Sequence, residues 1–169
     1  VTRAVAALLA VGLALPLLAR ATAGEWEASA GVAVGAHNGA LAGVEAGLSR
    51  HLTDFWSCGV SVRDLRLLGD LDQGHTAALA DVRFVLDALR WVPALTVSLG
   101  GVVDARPDVR STAAVRGEFS LGYRVARSWG VAGFVAVQQP WSLDGVGTAY
   151  GSGGLRWQWF AGGPDAPDL

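Results

Sequence analysis

The segment Ala78–Leu89 reads Ala-Leu-Ala-Asp-Val-Arg-Phe-Val-Leu-Asp-Ala-Leu, and its period is two. One alternate set, Ala78, Ala80, Val82, Phe84, Leu86 and Ala88, is wholly apolar. The interleaved set, Leu79, Asp81, Arg83, Val85, Asp87 and Leu89, holds every charge. Successive side chains of a strand point to opposite faces, so a strand makes one apolar face and one mixed face from this segment. A helix would scatter Asp81, Arg83 and Asp87 among apolar neighbours with no clean stripe. The segment is therefore a strand, and its apolar set must face either a core or lipid.

The same alternation recurs on both sides of it. Before it come strands over about Glu25–His37, Ala40–Arg50 and Phe55–Arg63. After it come Trp91–Val103, Arg110–Val125, Trp129–Gln138 and Thr148–Phe160. In the second strand Ala42, Val44, Ala46 and Leu48 alternate with Gly43, Glu45, Gly47 and Ser49; in the last, Leu155, Trp157 and Trp159 alternate with Gly154, Arg156 and Gln158. Only Trp129–Gln138 leaves its facing open. Asn38-Gly39 is a strong two-residue hairpin signal between the first two strands. Eight such strands, most of them as long as a tilted membrane strand needs (about 9–11 residues), point to an all-β, eight-stranded antiparallel up-and-down barrel.

Alternation alone does not say which face is inside. A soluble barrel buries its apolar face, and a membrane barrel turns it to lipid. Two features favour the transmembrane form. The polar face is mostly Gly, Ser and Thr with a few charges, which suits a narrow lumen better than a watery exterior. The aromatic residues are sorted by level: Trp26, Trp56, Trp91 and Trp129 open alternate strands, Tyr123 closes the sixth, and Trp157 and Trp159 close the last. In an even-stranded barrel all of these lie at one rim, as an interfacial aromatic girdle requires. The connections at that rim (Arg50–Asp54, Leu89–Arg90, Ala126–Ser128) are short. Those at the other rim (Asp64–His75, Asp104–Val109, Gln139–Gly147) are longer, the expected asymmetry between periplasmic turns and outer loops.

Composition agrees. The hydrophobic fraction is 51% and the charged fraction 17%, against about 25% charged in an ordinary soluble domain. All 13 basic residues are arginine. Residues 1–23 read as a signal peptide: Arg3, an apolar run Ala4–Leu18, and the small-residue cleavage site Ala21-Thr22-Ala23. The expected domains are thus a signal peptide at 1–23, a barrel at 24–160 and a disordered tail at 161–169. Removing Arg3 and Arg20 with the leader takes the net charge from −2 to −4, which argues against a nucleic-acid partner. The single Cys58 cannot form an intramolecular disulfide.

With these patterns in place, the chain resembles the small eight-stranded outer-membrane barrels of the OmpA transmembrane type. The resemblance implies outer-membrane lipid as surroundings and the barrel-assembly machinery as a partner. It also implies that Trp157, Trp159 and Phe160, in the terminal Leu155-Arg156-Trp157-Gln158-Trp159-Phe160, serve as the assembly signal. Nine residues follow Phe160, a departure from the usual pattern in which the chain ends there.

The inward set contains Glu27, Glu45, Asp81, Asp87 and Glu118 with Arg63, Arg83, Arg116, Arg124 and Arg156. An eight-stranded interior is just wide enough for its own side chains, and unpaired buried charge is costly. The expectation is a salt-bridged plug, with Glu27 and Arg156 a candidate pair where the last strand closes on the first. The alternatives are a lipid A-modifying enzyme and a soluble periplasmic lipid-binding barrel. The enzyme reading needs a nucleophile and base near the outer leaflet, and offers only Asp72, His75 and Ser142. No His/Cys spacing of the zinc type occurs, so no metal or cofactor is expected. The leading reading is a non-enzymatic outer-membrane barrel with a structural or surface-interaction role, its partner in the outer loops not named by the sequence.

Overall fold

A computed structural model of the chain describes residues 24–36, 39–53, 55–86, 91–104, 112–126, 128–142 and 145–162, without the side chains of 104, 142, 145 and 146. The leader at 1–23, His37, Asn38, Asp87, the turn Leu89–Arg90 and the tail beyond Gly162 lie outside the described residues. The strands are β1 (Trp26–Ala36), β2 (Ala40–His51), β3 (Trp56–Leu67), β4 (Asp70–Val85), β5 (Trp91–Asp104), β6 (Thr112–Ala126), β7 (Trp129–Ser142), β8 (Gly145–Val146) and β9 (Tyr150–Ala161). β8 is a two-residue extension that pairs only with the end of β7. The other eight are the staves of a barrel in which every pairing is antiparallel and β9 closes on β1. There is no helix among the described residues.

One hydrogen-bonded rung measures the closure. It runs from Trp26 through Arg50, Cys58, Val82, Val97, Gly117, Val137 and Gly151 back to β1 at Ala36, ten residues beyond its start. At strand spacings of 4.7–4.9 Å and a rise near 3.3 Å, that offset tilts the staves by roughly 40°. It also lifts the rung by a little over one residue per strand. Corrected for that lift, Trp26, Trp56, Trp91, Tyr123, Trp129 and Trp159 come to one level within about two residues, with Trp157 one outward position above Trp159. Neighbouring rings touch along this rim: Trp91 and Tyr123 have centroids 4.9 Å apart, and Trp56 and Phe84 5.1 Å.

The apolar set faces outward. Val32, Val34, Val44, Val60, Val82, Leu95, Val97, Leu99, Val135, Val137 and Leu155 are all more than half exposed. The interior holds Glu27, Glu45, Arg63, Arg83, Arg116, Glu118 and Gln158, each nearly inaccessible. The facing of Trp129–Gln138, which the sequence left open, is settled: Ala132, Phe134, Ala136 and Gln138 point inward and Val135 and Val137 outward.

One connection departs from expectation. Asp64–His75 is not a long loop, because β3 runs on to Leu67 and β4 starts at Asp70, with the chain turning at Leu68–Gly69. Gly69 takes a φ of 103°, which favours glycine. The alternation continues through this hairpin but its polarity reverses. Leu65 and Ala77 are fully buried inside, while Asp64, Arg66 and Thr76 form a hydrogen-bonded cluster on the outer face. A strand that leaves an apolar layer for water swaps the preferred chemistry of its two faces, so reading a single phase ends it too early.

Candidate functional site

The lumen is where the chemistry-bearing side chains converge, and strand register explains how. Glu45 on β2 stands directly opposite Arg63 on β3, and Arg116 and Glu118 are successive inward positions of β6. Arg156 on β9 lies between Gly31 of β1 and Ala132 of β7, so small neighbours leave its side chain free to cross the lumen.

The upper cluster has two carboxylates and three guanidinium groups. Arg156 donates from Nε to Glu45 Oε1 at 2.8 Å and from Nη1 to Glu118 Oε1 at 2.9 Å. Arg63 donates to Glu45 Oε2 at 3.0 Å and to Ser152 Oγ at 2.9 Å. Arg116 bonds to Glu118, and its Nη2 also lies 3.5 Å from Glu45 Oε2. The ring of Phe134 packs among the same three arginines, 4.6 Å from the Arg156 guanidinium carbon, 5.6 Å from that of Arg116 and 5.8 Å from that of Arg63. Such stacking adds attraction when water is excluded.

Phe134 is held over Gly154, its neighbour across β7 and β9. A Cβ on Gly154 would fall 2.8 Å from two carbons of that ring and would also collide with the Val32 carbonyl oxygen. Gly154→Ala is therefore expected to cost about 1–3 kcal/mol by overpacking, read as a lower urea midpoint of unfolding in lipid vesicles.

A lower cluster sits nearer the aromatic rim. Arg83 Nη1 bonds both oxygens of Glu27 at 2.7 Å, Gln158 Nε2 donates to Glu27 Oε1 at 2.7 Å, and His51 Nε2 lies 3.7 Å from Glu27 Oε2. The expected Glu27–Arg156 pair is corrected here. Register puts Phe160 opposite Glu27 and Arg156 opposite Gly31, so Glu27 goes to Arg83 and Arg156 to Glu45 and Glu118. Arg124 stands at the rim, where it donates to Glu25 at 3.2 Å and stacks 4.3 Å over Phe160. Asp81 faces the lumen between the clusters, partly buried.

Of the candidates for surface catalysis, Asp72 and His75 do not come together. His75 is not in a loop but inside the barrel, buried and tilted against Tyr150 with centroids 4.6 Å apart. Asp72 is exposed at the β3–β4 hairpin. Ser142 ends β7, and its side chain lies outside the described residues. No group of three or more His, Cys, Asp or Glu side chains that could hold a metal occurs among the described residues.

Comparison with solved structures places this geometry. The chain is similar to Neisserial surface protein A (TM-score 0.59, 12% identity, covering 80% of this chain and 94% of that one). It is similar to the N-terminal barrel domain of Pseudomonas aeruginosa OprF (TM-score 0.55, 10% identity, 82% and 98%). The attachment invasion locus protein Ail of Yersinia pestis gives a TM-score of 0.51 at 13% identity, covering 83% and 100%. The fold is that of the small outer-membrane barrels. No family model and no curated protein sequence matches the chain.

Within that outer-membrane barrel fold, sequence reading missed Ser152, Gln158, His51 and Phe134 as partners of the lumen charges. Ser152 and Gln158 lie on the inward set of β9 with Arg156, so alternation marked their face. Their roles depend on which strands meet across the lumen. Phe134 carried no signal, because an aromatic in a membrane strand ordinarily faces lipid.

Proposed function

We propose that this chain is a non-enzymatic outer-membrane barrel of a Gram-negative-type bacterium, with a lumen filled by its own side chains and a structural or surface-interaction role. The carrying observation is the reversal of polarity: the apolar side chains face out above a rim of tryptophans while the charges face in. A soluble barrel of this size would place those charges in water and the valines in its core. The lumen likewise offers an apolar ligand little room, because its interior is occupied by the ion-paired clusters.

In this reading residues 1–23 direct export, outer-membrane lipid surrounds the valine band, and Trp157, Trp159 and Phe160 present the signal to the barrel-assembly machinery. Trp157 and Trp159 are about half exposed on the outer face while Phe160 turns inward to Arg124. The two tryptophans are thus the aromatics available from outside. Surface interaction falls to the rim opposite the girdle, where Asp64, Arg66 and Thr76 stand on the outer face and Trp141 is 40% exposed.

The test is fractionation followed by gel electrophoresis with and without boiling. The protein is expected in the outer-membrane fraction, running at a different position when unboiled. Recovery in the soluble fraction with unchanged mobility would refute the assignment.

A further inference from the structure

The upper cluster of the lumen carries one positive charge more than its own carboxylates cancel. Arg63, Arg116 and Arg156 share Glu45 and Glu118, whereas Glu27 and Arg83 below them balance one to one. Asp81 is the remaining lumen carboxylate. It forms no ion pair among the described residues, and its Oδ1 is buried without a partner there. Ser98 of β5 stands between Asp81 and Arg116 in the ladder, and Gly59, opposite Asp81 on β3, lies four residues from Arg63. A cavity of about 50 Å³ is lined both by Asp81 and by the three arginines, so their attraction acts across a polar gap and is weak.

The surplus charge gathers on the side of the lumen away from Asp81. Arg63 and Arg116 converge there, since Nη2 of each approaches the same atom, Glu45 Oε2, at 3.0 and 3.5 Å. Arg63 also crosses from β3 to bond Ser152 on β9. Gln138 of β7 pairs with Arg116 on one side and with Tyr150 of β9 on the other, so it flanks Arg116 opposite to Ser98 and Asp81. Gln138 is fully buried and faces inward. Its Nε2 and Oε1, with Nε of Arg63 and Nε of Arg116, are buried without a partner among the described residues. The inward neighbours of this corner are small: Ala136 before Gln138, Ala114 beyond Arg116, and Ser152 opposite Ala136.

We propose that this corner holds one small monovalent anion, of chloride size, between Arg63, Arg116 and Gln138. Water satisfies a donor but cancels no charge, and an uncompensated guanidinium in a buried site is costly. One halide supplies both the missing charge and an acceptor for Nε of Arg63, Nε of Arg116 and Nε2 of Gln138. The carboxylates do not crowd it, because Glu45 and Glu118 are engaged by the Nη atoms of these arginines. The adjoining cavity has room for only a few waters, which suits a monatomic ion and not a phosphate. The inference rests on the packing of the barrel interior and not on its placement in lipid.

The test refolds the protein from urea into detergent micelles, with sodium bromide replacing sodium gluconate at constant ionic strength. Folding of each variant is verified by the mobility shift. The native urea midpoint is expected to rise with the logarithm of bromide concentration, as for any ligand that binds only the folded state. Arg116→Gln equalises the charges of the cluster and is expected to abolish the rise. Gln138→Leu removes one donor at similar volume and is expected to reduce it. A general salt effect moves native and variant proteins alike; that result, or a native midpoint indifferent to bromide, overturns the proposal. Should Arg116→Gln not fold, Gln138→Leu decides against the native protein. Crystals grown from bromide locate the ion: an anomalous-scattering peak is expected beside Arg63, Arg116 and Gln138, and water alone at that corner refutes the site.

Discussion

Replacing Glu45 with alanine is expected to lower barrel stability by about 3–5 kcal/mol, the usual cost of breaking a buried ion pair from one side. Glu45 is 6% exposed. Its Oε1 accepts from Arg156 at 2.8 Å and its Oε2 from Arg63 at 3.0 Å, with Arg116 3.5 Å away. Without it, three guanidinium groups converge on the single carboxylate of Glu118. The penalty arises from stranded cations in a poorly solvated lumen more than from lost attraction, so Glu45→Gln, which keeps the volume and an acceptor, is expected to cost less. The reference is Asp64→Ala, on the outer face of the same strand region. Its pair with Arg66 is part-exposed, and such pairs contribute about 0–1 kcal/mol. Urea unfolding in lipid vesicles, followed by tryptophan emission, measures all three. A Glu45→Ala cost no larger than that of Asp64→Ala would show that the lumen network does not hold the barrel together.

How far the sequence reveals this network depends on the distance between partners along the ladder. Alternation alone placed Glu27, Glu45, Arg63, Arg83, Arg116, Glu118 and Arg156 on the inward face, because facing is a local property of a strand. Pairing is not local. Glu27 and Arg156 sit on adjacent closing strands and looked like partners, but the register offsets them by four residues on β1. The actual partners, Arg83 with Glu27 and Arg156 with Glu118, reach across the lumen between strands that are not hydrogen-bonded neighbours. Such contacts follow from the ten-residue closure offset and the bore diameter, which no segment of sequence carries by itself.

The strand count and the aromatic rim were legible for the opposite reason. Each tryptophan marks a strand end, and each strand end is fixed by its own apolar run. The outer end was less legible because the exchange of faces at Arg63–Asp64 looks like the end of a strand. Reading a single phase therefore puts Leu65 and His75 in a loop, although both are buried inside the barrel. Inward apolar side chains near the outer end, Leu41, Leu65, Val102 and Tyr150, are masked by the same reversal, since they occupy the set that is polar lower down.

Placing an arginine at Val97 is expected to destabilise the barrel by about 2–4 kcal/mol in lipid, the cost of a guanidinium on the lipid face near the bilayer midplane. Val97 is 60% exposed on the outer face of β5, paired with Val82 and Gly117, and lies well above the rim residue Trp91 on the same strand. The expected cost depends on depth. Val125→Arg, on an outward position of β6 beyond Tyr123 and 45% exposed, carries the same charge at the rim and is expected to cost only about 0–1 kcal/mol. Both positions are exposed, so contacts within the protein do not separate them; only the surroundings do. If this face met water, each substitution would behave as an ordinary surface change, within about 0.5 kcal/mol of native. Urea midpoints of the two variants in lipid vesicles read the difference directly. A steep penalty at Val97 with a shallow one at Val125 locates the hydrocarbon on the valine band, and equal small effects place that band in water.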